Sequence, residues 1–362
     1  MMLTVYNVGQ GDAFLVEPNC GCHFDQLDAP LLVDTGPPGA QVARRLSSQE
    51  VTVLITHSHE DHIGGLPALI RAGKIACLFM PWYLPEVTAI YKYIRSHCLI
   101  PIGRPDWTKM AGIRKILVSE GDRMCPEHIT VMNPPKDPYC YFRGYPRREE
   151  TNNNILRALD ELTELGMDLP TKEIVNYETP IHSEGAEVEG LNEEYMAHAR
   201  TFVHNFFITL SDRAAHIPHD SLPYYVDLHM ALTANQASVV FEYRHPNLGK
   251  WLFTGDADET VFERLIASGT DLSARFFKVP HHGSRENMSR RTLEAVNPEV
   301  AIISHKNRRF GRSLDAHPHH EVIDMLDQRG IRTYYTNPVI KEGITIKNMA
   351  TGAQENGIIK FV

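Results

Sequence analysis

Short apolar runs separated by turn residues fill the first eighty positions of the chain. Apolar stretches bounded by Gly, Pro and Asp are typical of strands in a buried sheet. Two of the intervening segments show the spacing of short helices instead. The pattern predicts strands at residues 3–8, 13–17, 30–34 and 51–56, and helices at residues 41–46 and 66–71.

The same alternation returns in the last third of the chain. Strand-like runs are separated there by two helical segments, and strands interleaved with helices favour an α/β fold. The pattern predicts strands at residues 237–243, 251–253, 276–279, 300–304, 333–335 and 343–346, and helices at residues 259–267 and 320–328.

Residues 134–232 differ from both flanks. Apolar side chains recur at helical spacing from Ile155 to Leu165, and a second helical stretch covers residues 193–207. We therefore predict one domain over residues 1–362, interrupted by a helical insertion at residues 134–232. The insertion either packs its apolar stripe onto the main body or forms a cap over the substrate site, and the sequence leaves both roles open.

Composition narrows the class of protein. The 362 residues include 36 Lys and Arg against 45 Asp and Glu, a net charge of −9, and 43% are hydrophobic. This excludes a disordered or collagen-like chain, and no apolar run approaches the ~20 residues that span a bilayer. The N-terminus has no secretory-signal pattern, and the six cysteines form no CxxC pair. We expect a cytoplasmic protein with no membrane partner.

The most informative segment follows the fourth predicted strand, where residues 53–65 read VLITHSHEDHIGG. His57 and His59 alternate on an extended backbone, so their side chains point the same way and can bind one ion. Asp61 and His62 lie on the following turn, placed for a second ion. Imidazole and carboxylate groups suit Zn²⁺ or Mn²⁺, and we therefore predict two divalent metal ions as cofactors.

The spacing His57-x-His59-x-Asp61-His62 resembles the signature of the metallo-β-lactamase superfamily, whose fold is a four-layer αββα sandwich. The chain is more similar to one branch, the metallo-hydrolase domain of ComEC-type DNA-uptake proteins and its free-standing relatives. The blocks that carry this resemblance follow the order of that branch and leave out only residues 134–232. They are NVGQGDA at 7–13, LVDTG at 32–36, THSHEDHIGG at 56–65, TGD at 254–256 and KVPHHGS at 278–284.

The resemblance implies roles for residues outside the histidine cluster. Asp256 would bridge the two ions, and His281 or His282 would complete the second site together with Asp61 and His62. The register of the histidine pair stays open in the sequence; we favour His281 as the ligand, with His282 lining the site. Asp34 and Asp12 would each orient a ligand histidine or serve as plain turn residues.

Two departures from the superfamily pattern affect this set. Most members carry a third histidine ligand of the first ion just before the strand that leads to the bridging aspartate, but residues 234–240 contain none. The ComEC-type branch also lacks it, so water, Asn235 or His229 is left to complete a weaker first site. The late Gly-His-Pro motif is interrupted, with five residues between Gly311 and His317. The resemblance gives His317 a role as proton donor or phosphate contact.

Charge distribution indicates the substrate class. Residues 275–312 contain nine basic and three acidic residues, a net charge of +6, which leaves −15 for the rest of the chain. A phosphodiester would be attracted to this segment, although a solvated basic face would show the same composition. The candidate substrate-binding residues are Lys278, Ser284, Arg285, Lys306, Arg308 and Arg309.

These observations favour a metal-dependent phosphodiesterase, specifically a nuclease that cleaves DNA through a metal-bound hydroxide positioned by Asp61 and Asp256. A hydrolase of small esters, lactams, thioesters or cyclic nucleotides is the alternative enzyme. A metal-binding scaffold whose activity has decayed is the alternative outside the enzymes. The expected partner is DNA or another phosphodiester, and the sequence leaves a protein partner or a homo-oligomer open.

Overall fold

The computed structural model describes residues 2–17, 29–46, 50–81, 113–125, 128–135, 235–307, 316–348 and 358–361. Apart from residues 134 and 135, the predicted helical insertion lies outside the described residues. The same holds for His229, Arg308 and Arg309.

Two seven-stranded sheets form the centre of the molecule. The first half of the chain supplies β1 (Met2–Tyr6), β2 (Phe14–Glu17), β3 (Leu31–Val33), β4 (Val51–Leu54), β5 (Ile75–Pro81), β6 (Arg114–Val118), β7 (Arg123–Cys125) and β8 (Ile129–Asn133). The second half supplies β9 (Val240–His245), β10 (Gly249–Phe253), β11 (Phe276–Lys278), β12 (Val300–Ile303), β13 (Arg332–Tyr335), β14 (Val339–Lys341), β15 (Ile344–Lys347) and β16 (Ile358–Phe361).

The strand orders are β16-β1-β2-β3-β4-β5-β6 and β13-β12-β11-β10-β9-β8-β7, while β14 and β15 form a separate hairpin. Strands β3 to β6 run parallel in the first sheet, and β10 to β13 run parallel in the second. The remaining pairs within the two sheets are antiparallel. Each sheet therefore has a parallel half whose carboxyl ends can carry functional loops.

Short helices cover the outer face of each sheet. They are α1 (Val42–Arg45), α2 (Glu60–Ile63), α3 (Leu66–Arg71), α4 (Glu259–Ala267), α5 (Arg290–Val296) and α6 (His320–Gln328), with 3₁₀ turns at Pro38–Ala40 and Pro280–Gly283. Side chains alternate along the strands, so that Leu32 and Leu252 pack towards the helices. Their neighbours Leu31, Val33 and Trp251 pack between the sheets.

This arrangement is helix, sheet, sheet, helix, and it confirms the predicted α/β sandwich. The layer between the sheets is rich in aromatic side chains: the rings of Trp251 and Phe276 stack with centroids 4.0 Å apart, and Phe14 meets Phe253 edge to face at 5.5 Å. None of the helices among the described ranges has the length and apolar character needed to cross a membrane.

The boundary of β4 matters most for function. Residues 51–56 were predicted as a strand, but the ladder ends at Leu54 and the chain then crosses to the second sheet. There the Thr56 carbonyl accepts a hydrogen bond from the Val239 amide at 2.9 Å. This crossing brings the histidine segment against the carboxyl ends of β10 and β11.

Candidate metal centre

The loops that follow β3, β4, β10 and β11 converge at one edge of the sandwich. They carry Asp34, His57, Asp256 and the histidine pair at 281 and 282, respectively, and α2 begins directly after His59. Residues from both sheets therefore share one site, as the resemblance implies.

A first group of candidate ligands consists of His57, His59 and Asp256. The His57 Nε2 lies 2.9 Å from the His59 Nδ1 and 3.7 Å from the Asp256 Oδ2. His57 and Asp256 are buried. The alternation of His57 and His59 on extended backbone thus brings both rings to one point, as predicted.

A second group consists of Asp61, His62 and His282. The His282 Nε2 lies 3.2 Å from the Asp61 Oδ2, and the His62 Nε2 lies 3.2 Å from the Asp256 Oδ2. The two groups are adjacent, because Asp256 contacts members of both.

Asp256 is the shared centre of the two groups. Its Oδ2 has four imidazole Nε2 atoms within 3.8 Å, those of His57, His62, His281 and His282. Asp256 follows Gly255, whose φ of 51° lets the chain turn tightly at the end of β10. One carboxylate oxygen surrounded by several imidazoles has the arrangement expected of a residue that bridges two ions.

Asp34 lies behind the second group and is fully buried. Its Oδ2 is 2.7 Å from the His62 Nδ1 and accepts a hydrogen bond from the Thr56 hydroxyl at 2.7 Å, while its Oδ1 accepts one from the Thr56 amide at 2.8 Å. A carboxylate on Nδ1 fixes the ring and directs Nε2 towards the site. Asp34 therefore has the geometry of a residue that orients a ligand, in addition to its position in a turn.

Lys278 occupies a different place from the one predicted. It is 2% exposed, and its Nζ lies 2.5 Å from the Asp12 Oδ2 and 3.5 Å from the Asp256 Oδ1. These carboxylates hold the pKa of Lys278 above its usual range although burial acts in the opposite direction. The side chain stabilises buried aspartates and is not available to a substrate, because β11 directs it inward.

The structure separates the two histidines of the pair. His282, which we expected to line the site, belongs to the second group, whereas His281 does not. The His282 Nδ1 is 2.9 Å from the Ser304 carbonyl oxygen, which accepts its N–H and leaves the Nε2 lone pair facing Asp61. The sequence could not settle this register, because both histidines adopt positive φ angles, 44° and 55°, in the turn after β11.

The other site residues predicted from the sequence lie outside the two groups of candidate ligands. Ser284 is buried, whereas Arg285, which pairs with Glu321, and Lys306 are exposed. Asn235 precedes β9, and its buried Oδ1 has no hydrogen-bond partner among the described residues. His317 is buried with its ring centroid 5.0 Å from that of His281, and burial lowers the pKa of His317 to about 2.

The electrostatics of the site fit divalent cations. Among the described residues, the cluster contains one lysine, Lys278, and four carboxylates. The carboxylates are those of Asp12, Asp34, Asp61 and Asp256. Buried charge of one sign needs a counter-charge.

The pKa values of two histidines in the cluster are shifted in opposite directions. Burial lowers the pKa of His59 to about 4, which keeps it in the neutral form that binds metals. His62 has a pKa well above its usual range because Asp256 and Asp34 outweigh burial. Several polar atoms that point into the site, including the His59 Nε2, His62 Nε2 and Asp256 Oδ1, are buried without a hydrogen-bond partner among the described residues. These observations fit bound cations.

Sequence reasoning missed the residues that support the ligands from outside. Ser304 accepts the N–H of His282 through its carbonyl, and Asn287 contacts His281 at 2.9 Å. Neither had a motif that distinguishes it from ordinary polar loop residues. Asp12 and Lys278 do lie in the motif blocks, but their pairing joins positions far apart in the chain and becomes visible only in the fold.

Comparisons with known proteins agree with this geometry. Residues 6–76 match the model of the metallo-β-lactamase superfamily. ComE operon protein 3 of Bacillus subtilis (strain 168) is 31% identical over 88 residues, which cover 24% of this chain and 11% of that protein. The matched segment thus spans about a ninth of the relative's length.

Three solved structures align with this chain at low TM-scores and low identity. Igni18, a metallo hydrolase from Ignicoccus hospitalis KIN4/I, aligns with a TM-score of 0.43 and 13% identity over 100% of this chain and 99% of that one. A diphosphatase from the PhnP family gives 0.37 and 11% over 100% and 98%. The isothiocyanate hydrolase from Delia radicum gut bacteria gives 0.34 and 11% over 92% and 96%.

Residues 6–76 of this chain are thus similar to the metallo-β-lactamase superfamily, and the two-sheet sandwich and the candidate ligand groups of the described residues are compatible with that similarity.

Proposed function

We propose that this protein is a metal-dependent hydrolase that cleaves phosphodiester bonds, with DNA as its substrate. The observation that carries the hydrolase part is the Asp256 carboxylate, whose Oδ2 lies within 3.8 Å of four imidazole nitrogens in a cluster rich in carboxylates. Such a cluster is costly to bury unless cations bind it.

The two groups of candidate ligands indicate which residues would hold each ion. His57, His59 and Asp256 would hold the first ion, and Asp61, His62, His282 and Asp256 the second, with Zn²⁺ or Mn²⁺ as the metal. Two divalent ions, when bound there, would acidify water and neutralise charge that develops on the oxygens of the scissile group.

The protein side chains supply positioning and hydrogen bonds. The side chain of Asp61 is 14% exposed, against 1% for Asp256, so Asp61 is the carboxylate that meets incoming water. We assign Asp61 to orient that water by accepting a hydrogen bond from it, because the neighbouring His282 and His62 hold the pKa of Asp61 well below its usual range, and Asp256 to hold the metal ligands in register. His317, kept neutral by burial, is assigned to donate an N–H to a substrate oxygen.

The substrate class is argued from the basic residues near the site and from the resemblance. Lys306 is exposed beside the loop of Gly9 and Gln10, and its amide donates to the Gln10 side chain at 3.0 Å. Arg308 and Arg309 follow it in sequence. Arg275, by contrast, lies before β11, away from the ligand-bearing end, and pairs with Glu299 at 2.8 Å. The preference for DNA comes from the resemblance to ComEC-type DNA-uptake proteins.

A hydrolase of small esters, lactams, thioesters or cyclic nucleotides is the second candidate. The observation in its favour is that Lys278 is buried and Arg275 is distant, so fewer cations face the site than the sequence count indicates. We place the enzyme in the cytoplasm because its six cysteines form no CxxC pair in the sequence.

The test is a substrate panel with defined metal. The protein is loaded with Mn²⁺ or Zn²⁺ and assayed on linear and circular DNA, RNA, cyclic dinucleotides, a β-lactam and a lactone. Asp61→Ala and Asp256→Ala should each remove activity, whereas Asp271→Ala, which deletes an exposed carboxylate, should retain it.

Cleavage of DNA that needs metal and both aspartates supports the proposal. Cleavage of the lactam or lactone with every phosphodiester intact assigns the second candidate. Bound metal without turnover of any substrate assigns the scaffold.

A further inference from the structure

His319 immediately precedes α6, but its side chain is directed to another part of the molecule. Within the described residues of α6, no amide donates a capping hydrogen bond to this side chain. His319 is 4% exposed, whereas the next residue, His320, is exposed. The burial of His319 therefore serves a contact other than the start of its own helix.

Two hydrogen bonds tie His319 to the chain that follows β11. The His319 amide donates to the Gly283 carbonyl at 2.9 Å, and the His319 Nδ1 accepts from the Arg285 amide, also at 2.9 Å. A ring nitrogen that accepts a backbone N–H carries no proton, so this bond fixes the orientation of the ring. Residue 319 is thus held on both sides of Ser284, through its backbone and through its side chain.

Close packing joins the same two segments. Gly283 has a φ of 84°, and a Cβ there would lie 2.6 Å from the Pro318 Cβ. Residues 317–319 therefore lie directly against the turn that carries His282, a member of the second group of candidate ligands. Any shift of this segment relative to the turn would change the distance between His317 and the metal centre.

The His317 ring lies between two other imidazoles. Its centroid is 4.5 Å from that of His319, with the planes at 79°, and 5.0 Å from that of His281, with the planes at 85°. Both contacts are edge to face, the arrangement that aromatic rings favour. Because the Arg285 amide fixes the His319 ring, that ring forms a firm wall against which His317 packs.

We propose that His319 is a positioning residue, which holds the His317 side chain in the orientation that meets the substrate at the metal centre. This inference rests on the proposed function, in which His317 donates an N–H to a substrate oxygen. His319 acts through His317 and does not itself contact the substrate. A displacement of about 1 Å can cost about 100-fold in rate, so losing this support should lower kcat while the metal content stays the same.

Two amide substitutions test the hydrogen bond to the Arg285 amide. Asparagine places its side-chain oxygen where His319 has Nδ1, whereas glutamine places its oxygen one bond further out. In metal-loaded protein, His319→Asn should therefore keep a kcat close to that of wild type. His319→Gln and His319→Leu should each lose about 10–100-fold in kcat on a chromogenic phosphodiester. The control, His320→Leu, changes the exposed neighbour and should match wild type.

A double variant shows whether His319 acts through His317. His317→Ala removes the donor, so adding His319→Leu should cost no further rate if the two residues act as a unit. A role in folding alone would multiply the two losses instead. Urea unfolding and metal per chain, measured on every variant, show whether a loss of rate follows a loss of stability or of metal.

Binding of inorganic phosphate to the Zn²⁺-loaded protein gives a reading that needs no turnover. Phosphate carries the type of oxygen that His317 would contact. Its Kd should rise about 10-fold in His319→Leu, the value of one hydrogen bond to a charged group, and stay near wild type in His319→Asn.

Four results overturn the proposal while the proposed metal-dependent reaction stands. They are a wild-type kcat in His319→Leu, a wild-type kcat in His317→Ala, multiplied losses in the double variant, and an asparagine variant that recovers stability without recovering kcat. Hydrolysis of a lactam or lactone with every phosphodiester intact overturns the proposed substrate instead, and the same variants assayed on that substrate decide the role of His319. A wild-type protein that hydrolyses no substrate and binds no phosphate overturns both.

Discussion

At the scale of single residues, the site depends on side chains that bind no ion themselves. Asp34 hydrogen-bonds His62 and Asn287 hydrogen-bonds His281, so that each orients a candidate ligand. Lys278 neutralises part of the charge on Asp256. The sequence allowed the ligand types to be predicted, because the spacing from His57 to His62 leaves few alternatives. It could not show that Lys278 faces inward, since a lysine in a basic segment has the same pattern as a surface residue.

Replacing Asp34 by asparagine should weaken metal binding while preserving the shape of the side chain. The substitution removes the negative charge beside the His62 Nδ1, so the affinity of the second site for its metal ion should fall about 10–100-fold. A competition titration with a chromophoric chelator measures this. Asp122→Asn is the control. It removes the charge of a buried carboxylate that accepts a hydrogen bond from the Ser119 amide in a turn, and it should leave the metal affinity unchanged. Equal affinities for wild type and Asp34→Asn would remove the orienting role.

Lys278→Met should destabilise the metal-free protein by about 3–5 kcal/mol, because it leaves the buried Asp12 and Asp256 without their cation. Added Zn²⁺ or Mn²⁺ should restore part of the loss, since the ions supply positive charge to Asp256. Urea unfolding with and without metal measures both effects. A variant as stable as wild type without metal would contradict the role assigned to Lys278.

His305 makes folding sensitive to acid. Burial lowers its pKa to about 4, and its Nε2 lies 2.9 Å from the Asn337 carbonyl oxygen. The folded pKa is below the unfolded value of about 6.5, so the folded state binds fewer protons between these values. Stability from His305 is therefore present above pH 6.5 and lost as the pH falls towards 4, by about 3 kcal/mol at most.

Urea unfolding of wild type and His305→Gln at pH 7 and pH 5 isolates this contribution from that of the other histidines. The loss of unfolding free energy between the two pH values should be smaller in the variant. The same loss in both proteins would show that His305 takes up no proton in this range.

At the scale of elements, the site is built by loops whose close approach leaves no room for a side chain. Gly11 has a φ of 130°, and a Cβ there would lie 2.1 Å from the Asp61 carbonyl oxygen. The loop after β1 therefore packs directly on α2, and the Asp12 amide donates to the same carbonyl at 3.2 Å.

Gly11→Ala should displace the loop that carries Asp61 and reduce both stability and metal affinity. Gly39→Ala is the matched control, because a Cβ at Gly39 would meet no atom within 4 Å. Thermal unfolding and metal titration of the two variants measure the difference. Indistinguishable behaviour would mean that this contact does not hold Asp61 in place.

The strands that carry the site were predicted best. β3, β4, β10 and β11 were all anticipated close to their observed bounds. β5, β6, β7 and β8 were not predicted: Arg114, Lys115 and Arg123 interrupt the apolar pattern of β6 and β7, whereas the apolar runs of β5 and β8 were not assigned to strands.

At the scale of the whole molecule, the two halves of the chain contribute unequally to one centre. Residues up to position 62 supply Asp12, Asp34 and the histidine motif, and residues from 256 onward supply the shared aspartate and the histidine pair. The order of motifs predicted the sandwich. It could not predict how the sheets meet, because contacts such as that between Thr56 and Val239 join segments separated by more than half of the chain.

The dependence of hydrolysis on metal equivalents tests the central claim most directly. Metal-free protein is titrated with Mn²⁺ or Zn²⁺ while cleavage of a chromogenic phosphodiester is followed. The account predicts no turnover without metal and a rate that rises to a plateau at about two equivalents per chain. Turnover in the metal-free protein, or a rate that does not change as metal is added, would contradict it.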